Sequence, residues 1–492
     1  MMNNLIVLPM VIPILIGILL VFLKNHIVVQ RFLAFFALLS NVGITIFLLE
    51  KVQVNGIMSL DFGGWKPPFG ILFVADSFAL LLVLTSSVVS AIILLYSFYS
   101  TEENLEKHYF YSFVLFLIAG VNGSFLTGDL FNLFVNFEVM LVSSYILIVL
   151  GGKKQQLMSS ITYVTINVLS SSFFLIAIAY LYATIGTLNM AHISERIAET
   201  GQTPILTVIS IVFLIVFSLK AGLFLYQWLP RSYSAPPTVV AALFGALLTK
   251  VGIYALFRSF TLLFYHQPQV THMLIGVLAI VTLVGGSIGA IAYSDLRQIV
   301  AYNVIISVGF ILLGLAVMTP AAIEGSVFYL IHDMVIKAAL FLIIGTTIYL
   351  TGTARISRMS GLIKNYPVLG WLFFVTILSL VGIPPLSGFV GKILLGQGLI
   401  EARSFVLLGV GFASSLFVLY SLLKIFMNSF WGETLISSED EKPLPKGLLV
   451  PSFLFVGLSL FLGIGAETIA EYITHAANTL LDPDIYIDAI LK

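Results

Sequence analysis

The sequence contains no cysteine and very little charge. The lack of cysteine excludes disulfides, cysteine-ligated zinc, iron–sulfur clusters and thiol catalysis within this chain. Only 9% of its 492 residues are charged, against roughly 25% in an average soluble protein. The formal net charge is zero, so the chain lacks the basic footprint that nucleic-acid binding requires. These absences exclude disulfide-stapled, thiol-based and nucleic-acid-binding classes.

Apolar residues take the place of the missing charge. They make up 59% of the chain, and the mean hydropathy is +1.09. A soluble core cannot absorb that much apolar surface, which predicts an all-α polytopic membrane protein. The gaps between apolar runs are too short for a soluble domain, so we expect residues 1–492 to form one membrane domain. The first run is long enough to span and lacks a cleavage site, which predicts a retained helix.

Runs long enough to cross the hydrocarbon core, about 20 residues each, predict fourteen transmembrane helices, called spans 1 to 14 below. If both termini face outside, twelve Lys and Arg residues lie in inner loops and six, including Arg258, in outer loops. This asymmetry favours termini outside. The predicted spans cover residues 3–23, 31–49, 72–98, 109–126, 129–150, 157–185, 205–229, 236–262, 272–293, 298–317, 322–350, 368–400, 405–430 and 448–474.

Spans 7 and 12 are predicted to be broken helices. Gly222 and Pro230 interrupt span 7, and Pro384, Pro385 and Gly388 interrupt span 12. Breaks at membrane depth are tolerated only where protein covers the backbone or the backbone lines a cavity. A matched pair of breaks indicates inverted repeats around a transport site.

Basic residues recur at a nearly constant offset, which supports a duplication. Lys392 follows Lys220 by 172 residues, and Lys424 follows Lys250 by 174. We therefore predict two inverted five-helix repeats, spans 4–8 and spans 9–13. The predicted boundaries are 109–262 and 272–430 for the repeats, with flanking helices in 1–98 and 448–492.

Five ionisable residues lie near the middle of spans: Glu138, Lys220, Lys250, Lys337 and Lys392. Each charge at the bilayer centre costs about 2.5–3.5 kcal/mol, so five cost on the order of 10–15 kcal/mol. Such residues persist when they face one another, water or a polar path. The pattern predicts a conduit for protons, because buried lysine can exchange a proton when its partners change.

Each of these residues also has a structural interpretation. Glu138 and Lys220 could form a purely structural pair, and Lys424, near a span end, could extend to the interface. In span 11, Asp333 precedes Lys337 by four residues, so the two could neutralise each other. His332 is a candidate proton relay beside them. The histidines form no visible metal cluster, and no cofactor site is expected.

Four segments resemble signatures of one family, the proton-conducting antiporter-like subunits shared by respiratory complex I and the multisubunit (Mrp-type) Na+/H+ antiporters. The segments occur in the family's order. They are LKAGLFLYQWLPRSYSAPPTVVAALFGALLTKVGIYALFR, AYSDLRQIVAYNVIISVGF, HDMVIKAALFLIIG and SLVGIPPLSGFVGKILLG.

The resemblance implies fourteen helices with two inverted repeats and outward termini, and it implies residue roles. Many relatives carry histidine where this chain has Asp333, and often where it has Tyr233, so the span 11 centre departs from the family. The implied roles are half-channel glutamate for Glu138, its partner for Lys220, connecting lysine for Lys250, central relay for His332 and Lys337, and exit lysine for Lys392. Apart from the resemblance, Asp333 and Lys424 are secondary candidates for the path.

We therefore predict a proton-translocating subunit of a hetero-oligomeric Na+/H+ antiporter in the bacterial cell membrane. Its expected partners are subunits of the A, B, C, E, F and G types, H+ and Na+, and membrane lipid. The alternative is a proton-pumping subunit of complex I or a membrane-bound hydrogenase, although Lys392 argues against the complex I subunit that carries glutamate there. A lipid-processing membrane enzyme and a non-conducting scaffold are further alternatives.

Overall fold

A computed structural model describes residues 2–435 and 442–492 of the chain. Within these residues, twelve helices are long and apolar enough to cross a membrane. Two shorter apolar helices, Phe110–Leu126 and Pro367–Val381, accompany them. The protein is therefore a multi-pass, chiefly helical membrane protein, as its composition predicts. The count of fourteen spans stays a prediction.

The first half of the chain begins with a short 3-10 turn and holds a small β-hairpin among its helices. The 3-10 segments of this half are Met2–Val7 and Phe62–Gly64. Its elements are α1 Leu8–Phe22, α2 Ile27–Asn55, β1 Met58–Asp61, β2 Leu72–Ala75, α3 Ser77–Ser100, α4 Glu103–Lys107, α5 Phe110–Leu126, α6 Leu130–Val149, α7 Lys154–Ile185, α8 Met190–Thr200, α9 Pro204–Ala221, α10 Leu229–Ser234, α11 Thr238–Leu243 and α12 Thr249–Leu262.

In the second half, the named elements among the described residues are all helices or helical turns. A π-helical turn, Phe244–Leu248, joins α11 to α12, and a second, Phe426–Phe430, follows α19. The remaining elements are α13 Thr271–Ala292, α14 Leu296–Val317, α15 Pro320–Thr351, the 3-10 turn Ile356–Arg358, α16 Leu362–Asn365, α17 Pro367–Val381, α18 Ser387–Glu401, α19 Phe405–Ile425, α20 Lys446–Ile464, α21 Ala466–Leu481 and α22 Pro483–Leu491.

Several boundaries differ from the sequence-based prediction, as for α2, which extends beyond the predicted 31–49, and two of the differences change how a segment is interpreted. Span 3 was expected from residue 72, but residues 72–75 form β2, which pairs antiparallel with β1, and Asp76 then caps α3. Residues 72–75 include an aromatic and a β-branched side chain, which suit a strand as well as a helix. Span 14 was expected to reach residue 474, but α20 ends at Ile464 and the amphipathic α21 follows.

Both predicted breaks are present. α9 ends at Ala221, where Gly222 adopts the left-handed conformation (φ 78°), and α17 ends at Val381, where Gly382 does the same (φ 88°). Glycine accepts this conformation without steric cost and ends a helix there. These breaks lie 160 residues apart, not 172, so Lys220 precedes its break whereas Lys392 follows its own.

The halves share a further local feature. Asp129 caps the start of α6 and pairs in an isolated bridge with Asn189; Asp295 caps the start of α14 and pairs likewise with Arg355. In each case the paired residue follows a 32-residue helix, α7 or α15. The two halves therefore use the same device to fix a helix start.

Two of the helical segments that carry central charges are the most deeply buried. The apolar windows of Thr238–Leu262 and Pro320–Thr351 are entirely buried, whereas those of α2 and α7 are 39% buried. The first window holds Lys250 and the second holds Asp333 and Lys337, all with no exposed surface. Burial of these helices keeps costly charges away from hydrocarbon.

An ion pair that sequence analysis missed ties the C-terminal helix to the core. Arg258, assigned above to an outer loop, instead lies inside α12 and is 3% exposed. Its Nη2 lies 2.5 Å from Oδ2 of the fully buried Asp76. The guanidinium stacks 5.4 Å from the ring of Tyr254 and 4.9 Å from that of Tyr486 on α22. The assignment of Arg258 to a loop is therefore wrong.

We predict that Arg258→Gln strongly lowers thermal stability in detergent. Breaking a buried ion pair leaves an uncompensated charge and costs about 3–5 kcal/mol. The double variant Asp76→Asn/Arg258→Gln should recover part of the loss, since it removes both charges. Lys107→Gln is the control, because Lys107 bonds the exposed Glu103 at 2.8 Å and lowers the pKa of that carboxyl where solvent screens the pair. Equal unfolding midpoints for Arg258→Gln and Lys107→Gln would contradict this account.

Candidate functional site

The first polar cluster joins three helices at Glu138. Ser171 on α7 donates a hydrogen bond to the Glu138 carboxylate, and Lys220 Nζ donates to the same Ser171 hydroxyl at 3.2 Å. The predicted partners Glu138 and Lys220 are thus connected through an intervening hydroxyl. Lys220 is 5% exposed, and its ammonium lies 5.0 Å from the ring of Phe137. Sequence analysis missed Ser171, because a serine in an apolar helix carries no distinctive signal.

The position of Lys220 follows from the break. Lys220 occupies the last turn of α9, where the carbonyl ends of the helix favour a cation. Gly252 on α12 packs against this end so closely that a β-carbon there would lie 2.5 Å from the Ala221 nitrogen. The end of α9 therefore contacts α12 backbone to backbone, two residues beyond Lys250.

The second cluster centres on Asp333. Lys250 Nζ lies 2.7 Å from Asp333 Oδ2 and donates a 2.7 Å hydrogen bond to the Gly245 carbonyl. Gly245 belongs to the π-helical turn, which presents this carbonyl toward the lysine. Lys337 Nζ lies farther away, 3.5 Å from Asp333 Oδ1. Asp333 is therefore shared by two lysines and is more than a partner for Lys337 alone.

Lys337 is the more loosely held of these two lysines. Among the described residues, its ammonium forms no hydrogen bond. It borders a small enclosed cavity of about 10 Å³, also lined by Lys392, Ser307, Ser414 and Ser415. A cavity of this size holds about one water molecule. The cavity joins the Asp333 cluster to the lysine of the second break.

Lys392 is held by carbonyl groups instead of a carboxylate. Its Nζ donates to the carbonyls of Leu380 and Val381 at 3.0 and 2.8 Å, and to Ser415 Oγ at 2.8 Å. Those carbonyls end α17, so the ammonium lies at a helix C-terminus, where backbone dipoles favour a cation. The ring of Phe310 lies 5.5 Å from it. Proline-rich residues 383–386 turn the chain so that α18 points Lys392 back at this end.

His332 and Lys424 have different surroundings. His332 Nδ1 lies 2.7 Å from Ser387 Oγ, at the start of α18, and is fully buried. Lys424 donates to the carbonyls of Ile291 and Tyr293 at 3.0 and 2.9 Å, where α13 ends. Its geometry is that of a helix-capping lysine. Within residues 2–435 and 442–492, no group of three His, Asp or Glu residues could hold a metal ion.

The fold and these clusters define a class: a polytopic membrane subunit with a buried chain of ionisable side chains and two broken helices. The family model described as NADH:quinone oxidoreductase/Mrp antiporter, TM, matches residues 127–418, and the chain belongs to this family.

Comparison with full-length relatives narrows the family to one branch. The chain is 51% identical to the D subunit of the Na(+)/H(+) antiporter of Bacillus subtilis and 47% identical to the D subunit of the Na(+)/H(+) antiporter of Alkalihalophilus pseudofirmus, each over 100% of both chains. It superimposes on a chain of the Mrp complex from a Dietzia species with a TM-score of 0.93 and 28% identity, covering 100% of this chain and 99% of that one. The resemblance inferred from the sequence motifs is confirmed, and the chain groups with the D subunits.

Proposed function

We propose that this protein is the proton-translocating D subunit of a multisubunit Na+/H+ antiporter in the bacterial cell membrane. The observation that carries the proposal is the series of ionisable residues from Glu138 to Lys392, which falls into two linked sections. Glu138 and Lys220 share a serine hydroxyl. Asp333 pairs with Lys250 and Lys337, and one cavity adjoins Lys337 and Lys392. Relatives of full length carry the antiporter name, which favours this function over the complex I or hydrogenase alternative. It acts as a transporter subunit, and we assign no catalysed chemical reaction to it.

The first step is a concerted transfer through Ser171. Its oxygen accepts from Lys220 while its hydrogen bonds Glu138. When the ammonium passes a proton to this oxygen, the hydroxyl passes its own to the carboxylate. Both end groups become neutral, and Ser171 regains one hydrogen. Because two opposite charges disappear together, neither remains alone in the membrane.

The central step uses the shared carboxylate. When both lysines are protonated, the single negative charge of Asp333 neutralises only one of their two positive charges. The Lys250 ammonium, 2.7 Å from Asp333, is attracted more strongly than the Lys337 ammonium at 3.5 Å, because Coulomb attraction weakens with distance. Lys337 is the member that releases its proton most readily. We propose that Lys392 first releases its own proton toward the exit side and becomes a neutral amine, and that the proton of Lys337 then crosses the adjoining cavity to it. Lysine ammonium groups have no acceptor and cannot bind Na+, so this series suits protons.

A polar cleft offers access from the side predicted to face inward. Its volume is about 570 Å³, and its lining includes Lys153, Arg297 and Tyr96. The Tyr96 hydroxyl lies 3.0 Å from Thr346 Oγ1 on α15, the helix that carries Asp333. We propose that protons reach the central cluster from this cleft.

The lateral face around Glu138 is the proposed contact with a neighbouring subunit. Glu138 is partly exposed, and Val135 and Val142 on the same helix are 40% and 51% exposed. A carboxylate facing lipid at this depth is costly. A partner subunit of the antiporter would cover this face and supply polar groups.

We also propose that residues 109–262 and 272–430 form two inverted repeats, which the paired breaks and caps support, and that both termini face outside.

Neutral substitutions at three members of the series should strongly lower exchange. We expect Glu138→Gln, Lys220→Gln and Lys392→Gln to lower Na+-driven proton movement in everted vesicles at least about tenfold, since each removes a proton carrier. The amount of assembled complex is measured in parallel. Lys424→Gln is the matched control and should keep exchange per assembled complex, because Lys424 caps α13. Full exchange in the first three variants would identify a scaffold.

Ser171→Ala tests the bridging hydroxyl. It removes a hydrogen-bond partner of two charged groups, each bond worth about 1.5–3 kcal/mol, so we expect exchange to fall about tenfold or more. Ser172→Ala is the neighbouring control, since Ser172 is exposed and bonds only the Val168 carbonyl of its own helix. Equal exchange in the two variants would show that Glu138 and Lys220 do not communicate through Ser171.

A further inference from the structure

A chain of three serine hydroxyls leads away from His332. His332 Nδ1 lies 2.7 Å from Ser387 Oγ, which lies 2.8 Å from Ser459 Oγ, which lies 2.6 Å from Ser379 Oγ. All four residues have no exposed surface. Ser387 begins α18 and Ser379 lies near the end of α17, so the hydroxyls bridge the second break. The middle member, Ser459, lies on α20, outside both proposed repeats.

The backbones around this chain are in close contact. A β-carbon on Gly388 would overlap the Ser379 carbonyl oxygen and lie 3.1 Å from His332. One on Gly463, a turn beyond Ser459, would overlap the Pro385 carbonyl oxygen. α20 therefore presses directly on the break, and its serine fits between the two half-helices.

The hydroxyl chain is directional, and His332 determines its direction. If Nδ1 is unprotonated, each serine donates to the next member, from Ser379 through Ser459 and Ser387 to the ring nitrogen. If Nδ1 carries a proton, the ring donates and all three hydroxyls reverse, which leaves the Ser379 hydrogen in need of another acceptor. A doubly protonated imidazole can adopt only this second arrangement, whereas a neutral ring with its hydrogen on Nε2 adopts the first. Protonation of that neutral tautomer is thus transmitted to Ser379.

Ser379 immediately precedes the carbonyls that hold the second-break lysine. Leu380 and Val381 supply the two carbonyl acceptors of Lys392 Nζ. A change at Ser379 therefore acts on the same helix end as a change in the charge of Lys392. The charged groups acting on His332 are Asp333 and Lys337 from its own helix and Lys392 from α18, and the ring of the ionisable Tyr329 lies 5.1 Å from the imidazole. α17 and α20 face it through the serine chain.

We propose that Ser459 is a positioning residue of the proton path, coupling the protonation of His332 to the helix end that holds Lys392. The inference rests on the proposed function, because it assigns a role within the same path. It gives α20, the last long membrane helix, a part in transport. It also assigns His332 to control of the second break and not to the route from Lys337 to Lys392.

The test compares two serines on one helix. Ser452 lies two turns before Ser459, is also fully buried, and its hydroxyl has no hydrogen-bond partner among the described residues. Exchange is measured in vesicles from about pH 6 to 9, a range that includes the ordinary histidine pKa of about 6.5. We expect Ser459→Ala to displace the pH profile and lower the maximal rate about tenfold. Ser452→Ala should superimpose on the unsubstituted protein.

A His332→Asn background separates coupling from simple loss of packing. If Ser459 acts through His332, adding Ser459→Ala to His332→Asn should change the rate less than about twofold. An equal loss in both backgrounds, or an unchanged profile for Ser459→Ala, would overturn the proposal. If Ser459→Ala does not assemble, Ser379→Ala interrupts the far end of the chain and must give the same displacement. Exchange retained in Glu138→Gln would instead overturn the proposed function itself.

Discussion

Placing charge inside a membrane protein without leaving it unpaired is the constraint on which this structure depends. The apolar windows of the helices that carry Lys250, Asp333 and Lys337 are entirely buried, whereas those of outer helices such as α2 and α7 are 39% buried. Hydrocarbon cannot solvate an ammonium or carboxylate, so each must find a partner within the protein. The outer helices of the fold therefore serve chiefly to exclude lipid from the two central ones.

The two halves meet this constraint in different ways. In the first, Lys220 shares a serine with a carboxylate; in the second, Lys392 relies on two carbonyls and a serine. Both lysines nevertheless lie beside a break: Lys220 is in the last turn of α9, and the Lys392 ammonium contacts the carbonyls that end α17. A broken helix supplies such an end within a span, where backbone dipoles favour a cation. The second break is thus a cation site as well as a feature of topology.

The membrane class, the broken spans and the family could be predicted from the sequence because each rests on local signals. Each of these signals can be recognised from one segment of sequence alone: a long apolar run, glycine near proline, or a charge within an apolar run. The roles of the individual site residues stay proposals. Ser171 and Ser459 could not be predicted, because a serine in an apolar helix is ordinary and its partner lies on another helix. The location of Arg258 was predicted wrongly for the same reason, since its partner Asp76 is 182 residues away in the sequence.

Repeat spacing shows a related limit. The offset between Lys220 and Lys392 suggested equivalent residues, yet the breaks themselves lie closer together in sequence, and the lysines approach them from opposite sides. Two side chains can occupy comparable positions in space without occupying equivalent positions in a duplicated sequence. Geometry at the helix end, which the sequence does not display, decides where each ammonium lies.

A structure of the assembled complex that resolves ordered water tests the central claim most directly. The claim is that the ionisable groups at mid-membrane form one connected polar path. Such a path requires water in the cavity between Lys337 and Lys392, and we predict that this water accepts a hydrogen bond from the Lys337 ammonium and lies next to Lys392 Nζ. A cavity filled by apolar side chains, with the two lysines separated and dry, would contradict the claim.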